Sequence, residues 1–256
     1  MTQSVCETVH QDMTALLTGR PDDVPAVVDQ LTKLQDVLER VPPLLGANPL
    51  ADFNKLYLRV TTSILERLYE GRFADPAFVS RLDVEFADRY FEALRHWGDG
   101  NAACPGAWLV LFDRIGARDC RQTSSAAAGV HAHVNFDLPF ALVTTFDHIG
   151  TDPVDGGDQH DDYLQINEIF AQAVPGPHPG CLEKWQLLID TMNGGLDDSW
   201  QGEMVEYARN VAWRNAQRLW ACRHDLQATA AERERLDGHA ASLGRLLLSP
   251  LGTFLQ

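Results

Sequence analysis

The sequence is short of positive charge. Its 21 Lys and Arg stand against 36 Asp and Glu, which leaves a net charge of −15. A phosphate-backbone binder needs a basic face, so nucleic acid is excluded as a partner. Amines, metal cations and neutral small molecules remain open, as does the plainer reading that an acidic surface keeps a protein soluble. No apolar run reaches the roughly 18 residues that a membrane-spanning helix needs. The N-terminal stretch MTQSVCETVHQDM has no basic region followed by an apolar one, so no secretion signal is expected. The expectation is a cytoplasmic protein that does not engage a membrane.

Other signals are missing as well. The five cysteines, Cys6, Cys104, Cys120, Cys181 and Cys222, form no CxxC, and none has a histidine at zinc-finger spacing. Such a dispersed, odd set reads as reduced thiols, and none has an activating neighbour in sequence. There is no GxGxxG after a strand, no GxxxxGKS/T, no GxSxG and no HExxH, which sets aside the common dinucleotide, nucleotide, serine-hydrolase and zinc-protease readings. No stretch alternates in β-branched residues, and no repeat of fixed period is visible.

What is present is helical periodicity. Val27, Val28, Leu31, Leu34 and Leu38 lie on one stripe after Pro21-Asp22-Asp23. Phe53, Leu56, Val60, Ile64 and Leu68 follow Asn48-Pro49, and Phe78, Leu82, Phe86, Tyr90 and Leu94 follow Asp75-Pro76. Each set has the helical spacing, and Asn-Pro and Asp-Pro are cap and first-turn pairs. A short helix is expected over 107–115 around Trp108. Further helices are expected over 126–145, 163–174, 182–192, 200–222 and 226–248, with a loop rich in Asp and Gly over 150–162. About eight helices with short Pro/Gly breaks predict one all-α domain over 1–256. In it, a peripheral helix over 1–20 precedes a bundle core over 21–256, packed around a buried central helix.

The central stretch 126–145, AAAGVHAHVNFDLPFALVTT, is apolar almost all round yet carries His131, His133, Asn135 and Asp137. The i,i+4 spacing puts His131 with Asn135 on one side and His133 with Asp137 on the other. Pro139 crowds the carbonyl of Asn135. Buried polar groups are costly without partners. One reading makes His133 and Asp137 a catalytic pair, the carboxylate fixing the imidazole tautomer for general-base work. The other makes all four a satisfied network that holds helices in register.

Around that pair, Tyr57, Tyr163, Arg214 and Asn215, with His131 and Asn135, are candidate substrate contacts. The arginines beside the tryptophans of 200–222 suit an anion, or else an ordinary salt-bridged face. No cofactor is expected; the alternative is a divalent metal held by His133, Asp137, His160 and Asp162. The acidic loop lacks the Glu that closes a calcium loop at its twelfth position.

Five segments together carry a likeness: FNKLYLRVT (53–61), FADPAFVSRLDVEFADRYFEAL (73–94), HAHVNFDLPFALV (131–143), HDDY (160–163) and AWRNAQRLW (212–220). They resemble a bacterial family known only as a domain of unknown function, whose central stretch reads approximately NAHINHDLPLAL. The likeness runs over about residues 25–250 and implies an α-helical cytoplasmic domain, with no catalytic assignment to carry over. His133, Asn135, Asp137, Leu138 and Pro139 match its motif. His131 stands where the family usually has Asn, and Phe136 where it often has His. A shorter fragment, His133, Asp137 and Pro139, is similar to part of the ligand set of zinc phospholipase C and its related nucleases. That group also needs an N-terminal Trp, where this chain reads Met-Thr-Gln.

The functional expectation is a cofactor-independent enzyme on a small molecule, of the natural-product cyclase type, closing a ring by intramolecular displacement. Alignment of nucleophile and leaving group contributes several kcal/mol to such a reaction. The alternatives are a metal-dependent phosphoester hydrolase and a non-catalytic partner subunit. Assembly into homo- or hetero-oligomers is left open.

Overall fold

Caps written into the sequence start the helices where the periodicity places them. A computed structural model of the chain describes residues 11–40, 48–100, 103–114, 128–173 and 200–249, and every regular element among them is helical. Helix α1 is Val24–Leu38, α2 Pro49–Tyr69 and α3 Pro76–Gly98. Their N-cap side chains, Asp23, Asn48 and Asp75, accept from the backbone N–H of Ala26, Ala51 and Phe78 at 2.8, 3.2 and 2.9 Å. Each cap fills one of the donors that a helix start leaves open. Then follow α4 (Gly106–Phe112), a π turn (His133–Asp137), α5 (Leu138–Ile149), α6 (Asp158–Ala173), α7 (Trp200–Cys222) and α8 (Leu226–Leu247). The architecture is all-α, and no described helix is long and apolar enough to cross a membrane.

Three boundaries differ from the periodicity reading. The expected helix from 163 begins at Asp158, so His160 and Asp161 sit in its first turn, and Asp162 directly after it, rather than in a loop. Acidic residues at a helix N-terminus complement its dipole, which is why an Asp-rich run starts this helix. The short helix around Trp108 stops at Phe112. The central helix is not continuous: residues 128–132 are α-helical, 133–137 form the π turn, and α5 resumes at Leu138. The expected helix over 182–192 and most of the N-terminal one lie outside the described residues.

Two apolar clusters fill the interior. One centres on Phe53, Tyr90, Trp108 and Phe112, the other on Phe78, Phe146, Tyr163 and Trp213. Phe86, Val130 and Val143 pack against both, so the clusters are continuous. Helix α5 lies between α3 and α7, α8 covers α4, and α1 covers α2. Asn54, wholly buried, fixes the last contact by donating to the Leu31 carbonyl at 3.0 Å and to Gln35 Oε1 at 2.9 Å.

The segment entering the π turn comes very close to α2. A Cβ built on Gly129 would stand 2.6 Å from Cγ of the Phe53 ring. Replacing Gly129 with Ala is therefore expected to cost about 1–3 kcal/mol by overpacking, read as a lower urea midpoint at unchanged slope. Gly238 is an exposed mid-helix glycine of α8, and a Cβ added there would meet nothing within 4 Å. Gly238→Ala is the matched control and is expected to stabilise by about 0.5–1 kcal/mol.

Candidate active site

The π turn holds the central polar pair. Its wide hydrogen bond runs from the Leu138 N–H to the His133 carbonyl. Pro139 has no N–H and cannot sit beneath a regular α turn without crowding the carbonyl four residues back. A one-residue widening ahead of the proline relieves that conflict, and such turns occur often at functional sites. Within it, His133 Nδ1 lies 2.9 Å from Asp137 Oδ2. The same oxygen accepts from the Trp108 indole N–H at 2.8 Å. An indole is only a donor, so Asp137 is the acceptor, and the network assigns the proton of the imidazole to Nδ1.

The ring of His133 is enclosed by aromatics. It stacks on Phe86 at 3.5 Å between centroids with 6° between planes, and Tyr57 meets it edge-on at 4.6 Å. Both His133 and Asp137 are 2 % exposed. Burial lowers the histidine pKa from its ordinary value, against the opposing pull of the Asp137 hydrogen bond and charge. The imidazole is thus neutral, with Nδ1–H fixed and the lone pair on Nε2. That nitrogen is buried and has no hydrogen-bond partner among the described residues.

His133 lines a cavity of ≈ 40 Å³, enough for a few water molecules. Its walls are mostly aliphatic and aromatic, with Tyr57, Asp83 and Arg209 as the other polar lining residues. Asp83 is buried, one of its carboxyl oxygens has no partner, and burial pushes its pKa up to about 8. At neutral pH it is a carboxylic acid and a hydrogen donor. The Tyr57 hydroxyl stands beside that of Thr61, one turn on, without a well-formed hydrogen bond. Burial first, then the charges of Asp83 and Asp137, raise its pKa well above the ordinary phenol value.

The remaining expected contacts fall elsewhere. His131 and Asn135 do pair, Nδ1 to Nδ2 at 2.8 Å, but neither lines the cavity. His131 is buried near Ala240 and His239 of α8, and burial lowers its pKa to about 4. Tyr163 is wholly buried and donates to the Arg209 carbonyl at 2.6 Å, which ties α6 to α7. Arg214 is exposed. Asn215 accepts from Arg235 at 3.1 Å. None of these three lines the cavity.

The metal alternative also divides. Asp162 accepts from the Ala74 and Asp75 backbone N–H groups at 2.9 and 2.6 Å, and His160 Nδ1 accepts from the Gly156 N–H at 3.1 Å. Among the described residues no three His, Cys, Asp or Glu side chains are grouped so that they could hold a metal ion. His133 and Asp137 are thus paired with each other, whereas His160 and Asp162 bond the Gly156 and the Ala74–Asp75 backbone instead. Sequence reasoning missed Asp83 and Arg209, and gave Trp108 only a packing role. The signal for Asp83 was its spacing with Val79, Phe86 and Tyr90 on the inward stripe of α3.

A family model described as a family of unknown function (DUF5995) matches residues 24–250. The chain belongs to this family. The match agrees with the likeness carried by the central stretch and encloses every residue of the cavity in this DUF5995 member. No curated protein and no solved structure matches the chain.

Two buried groups give the protein a defined response to pH. Native Asp83 keeps its proton up to about pH 8, whereas an unfolded aspartate loses it near 3.8. Its contribution is therefore full below pH 3.8 and is lost as pH rises through 8. His131 acts oppositely: the unfolded ring takes a proton below about 6.5, the native one only near 4, so stability is lost as pH falls through that window. Above pH 6.5 only Asp83 of the two still acts. Between pH 6.5 and 8, Asp83→Asn is expected to gain on the wild type, by up to about 1.4 kcal/mol per pH unit. Urea titrations of both proteins across that range measure the difference.

Proposed function

We propose that this DUF5995 protein is an enzyme that moves a proton on a small, largely apolar molecule without a cofactor, in a ring closure or an isomerisation of the kind found in specialised metabolism. The observation that carries the reading is the His133 ring. One nitrogen is fixed by a carboxylate that an indole also holds, and the other is unpartnered in a ring that lines a cavity. Among the described residues His131 Nε2 is unpartnered as well, so what sets His133 apart is that its ring lines the cavity.

His133 Nε2 takes a proton from the substrate, and Asp137 stabilises the imidazolium that results. Protonated Asp83, on the same cavity, gives its proton to the atom that gains electron density, or to a leaving group. The substrate's proton count is unchanged when both transfers act on it, so no oxidant or reductant is needed. The site is left as imidazolium and carboxylate and is reset by one proton passing back. Closely packed aromatic walls exclude water from both transfers.

The phosphoester-hydrolase reading has lost its assembled ligand set, as described above. The partner-subunit reading suits the His131–Asn135 pair, which is bonded within the helix and lies away from the cavity. It does not account for the open nitrogen of His133.

The test is depletion of small molecules from a metabolite extract incubated with the purified protein, followed by mass spectrometry. The wild type is expected to consume a compound with conversion to a product. His133→Gln and Asp83→Asn are each expected to slow that conversion by about 10²-fold or more, the usual size of an acid–base contribution. Trp108→Phe, which removes one of the two donors to Asp137, is expected to cost less. Folded His133 and Asp83 variants that convert the compound within twofold of wild type overturn the assignment.

A further inference from the structure

Among the described residues, the cavity wall holds one permanent cation. Arg209 of α7 is 4 % exposed and lines the same cavity as His133 and Asp83. Its Nε donates to Asn167 Oδ1 at 2.6 Å and one Nη donates to the Tyr163 carbonyl at 2.8 Å. The guanidinium lies over the Tyr163 ring, 4.2 Å from its centroid. All of these partners are neutral, and among the described residues no carboxylate pairs with it. Asp83 lies on the same cavity but forms no ion pair with Arg209, and its shift comes from burial alone. A guanidinium stays charged in proteins and carries five donors, of which these bonds engage two.

Burying a charge without a counter-charge is costly, and a bound anion removes that cost. The neighbouring walls are apolar: Leu56, Val60, Ile64, Ile166 and Phe170 line the cavity. We propose that the cavity binds a small monocarboxylate, its carboxylate on Arg209 and its apolar body reaching toward His133. The inference rests on the catalytic reading for the turnover of that ligand, but not for its binding. A planar carboxylate suits the fork of an arginine bidentately, and one cation in an apolar setting matches one negative charge. The chain's overall acidity does not oppose this, because surface charges are screened within about a Debye length.

Calorimetric titration with acetate, ethanol and ethylamine, molecules about as large as the few waters the cavity holds, tests the proposal on the full chain at pH 7. Acetate is expected to bind about tenfold or more tightly than ethanol, the scale of a hydrogen bond to a charged group, and ethylamine is expected to bind weakest. Arg209→Met is expected to abolish the preference for the acid over the alcohol, and Arg209→Lys to keep part of it. The wild-type series decides the matter even if Arg209→Met fails to fold. Equal binding of acetate and ethanol, or a preference for the amine, overturns the proposal. Methyl sulfate bound more tightly than acetate would also overturn it, in favour of a tetrahedral anion. Carboxylate binding that persists while no compound is ever turned over would sink the catalytic reading and leave this one standing. A turned-over compound that proves uncharged would do the reverse.

Discussion

One carboxylate oxygen organises the interior. Asp137 Oδ2 accepts from an imidazole on its own helix and from an indole on α4. The i,i+4 spacing sets His133 and Asp137 one above the other, and the π turn keeps them paired while the helix passes Pro139. Both donors are drawn out of water, and Trp108 is wholly buried. If the acceptor were absent, an indole N–H and an imidazole N–H would be stranded in an apolar cluster, each at a cost of about 1–3 kcal/mol. The short helix α4 is in turn fastened at its N-terminus by Asp237 of α8, which accepts from the Gly106 and Ala107 N–H groups at 3.0 and 2.7 Å. The position of Trp108 is thus set from two sides, and through it the orientation of the histidine.

The proline and the wide turn explain each other. An α-helix through residue 139 would press the proline ring on the Asn135 carbonyl. Widening the turn accommodates the ring and shifts the helical frame by one residue, so α5 presents Ala141, Leu142 and Phe146 to α3 and α7 with no break in the buried stripe. The same frame lets Arg89 of α3 donate to the Phe140 carbonyl at 3.1 Å and to Thr144 at 2.9 Å. Local conflict in the chain and the geometry of the cavity have one origin.

Much of this was legible in the sequence, for identifiable reasons. Capped, periodic helices such as α1 to α3 declare themselves because both their ends and their buried stripes are encoded locally. The two i,i+4 pairs of the central stretch were legible for the same reason. What local pattern does not encode is which of two similar pairs faces a cavity: that depends on α2 and α3 packing on one side of the segment and α8 on the other. Arg209 and Arg214 illustrate the limit. Arg209 stands four residues before Trp213 and three before Ala212, on the stripe that continues through Ala216 and Leu219, all buried. Arg214, next to Trp213, is turned about 100° off that stripe and faces solvent. Proximity to tryptophan in sequence drew attention to Arg214, whereas the helical period singles out Arg209 as the buried one. Asp83 was hidden by company: in a chain with 36 acidic residues, one on an apolar stripe does not stand out.

The separation of Asp83 from Arg209 then takes on meaning. Had the two formed an ion pair, each would have satisfied the other, and the cavity would have presented a neutral wall. Apart, they meet burial differently. A carboxyl group escapes the cost of an isolated charge by keeping its proton, and Asp83 does so up to about pH 8. A guanidinium has no such escape at any pH a protein survives, so Arg209 remains charged and, among the described residues, is answered by neutral oxygens and a ring face. Beside the Tyr57 hydroxyl, the described cavity lining therefore carries three unequal polar groups on apolar walls: a fixed cation, an acid with its proton on, and a neutral base with a free lone pair. A helical scaffold gains nothing from keeping these unmatched, since apolar residues of like volume would pack at least as well. On the proposed reading, a bound molecule bearing a negative group at one place and a transferable proton at another would complete the arrangement.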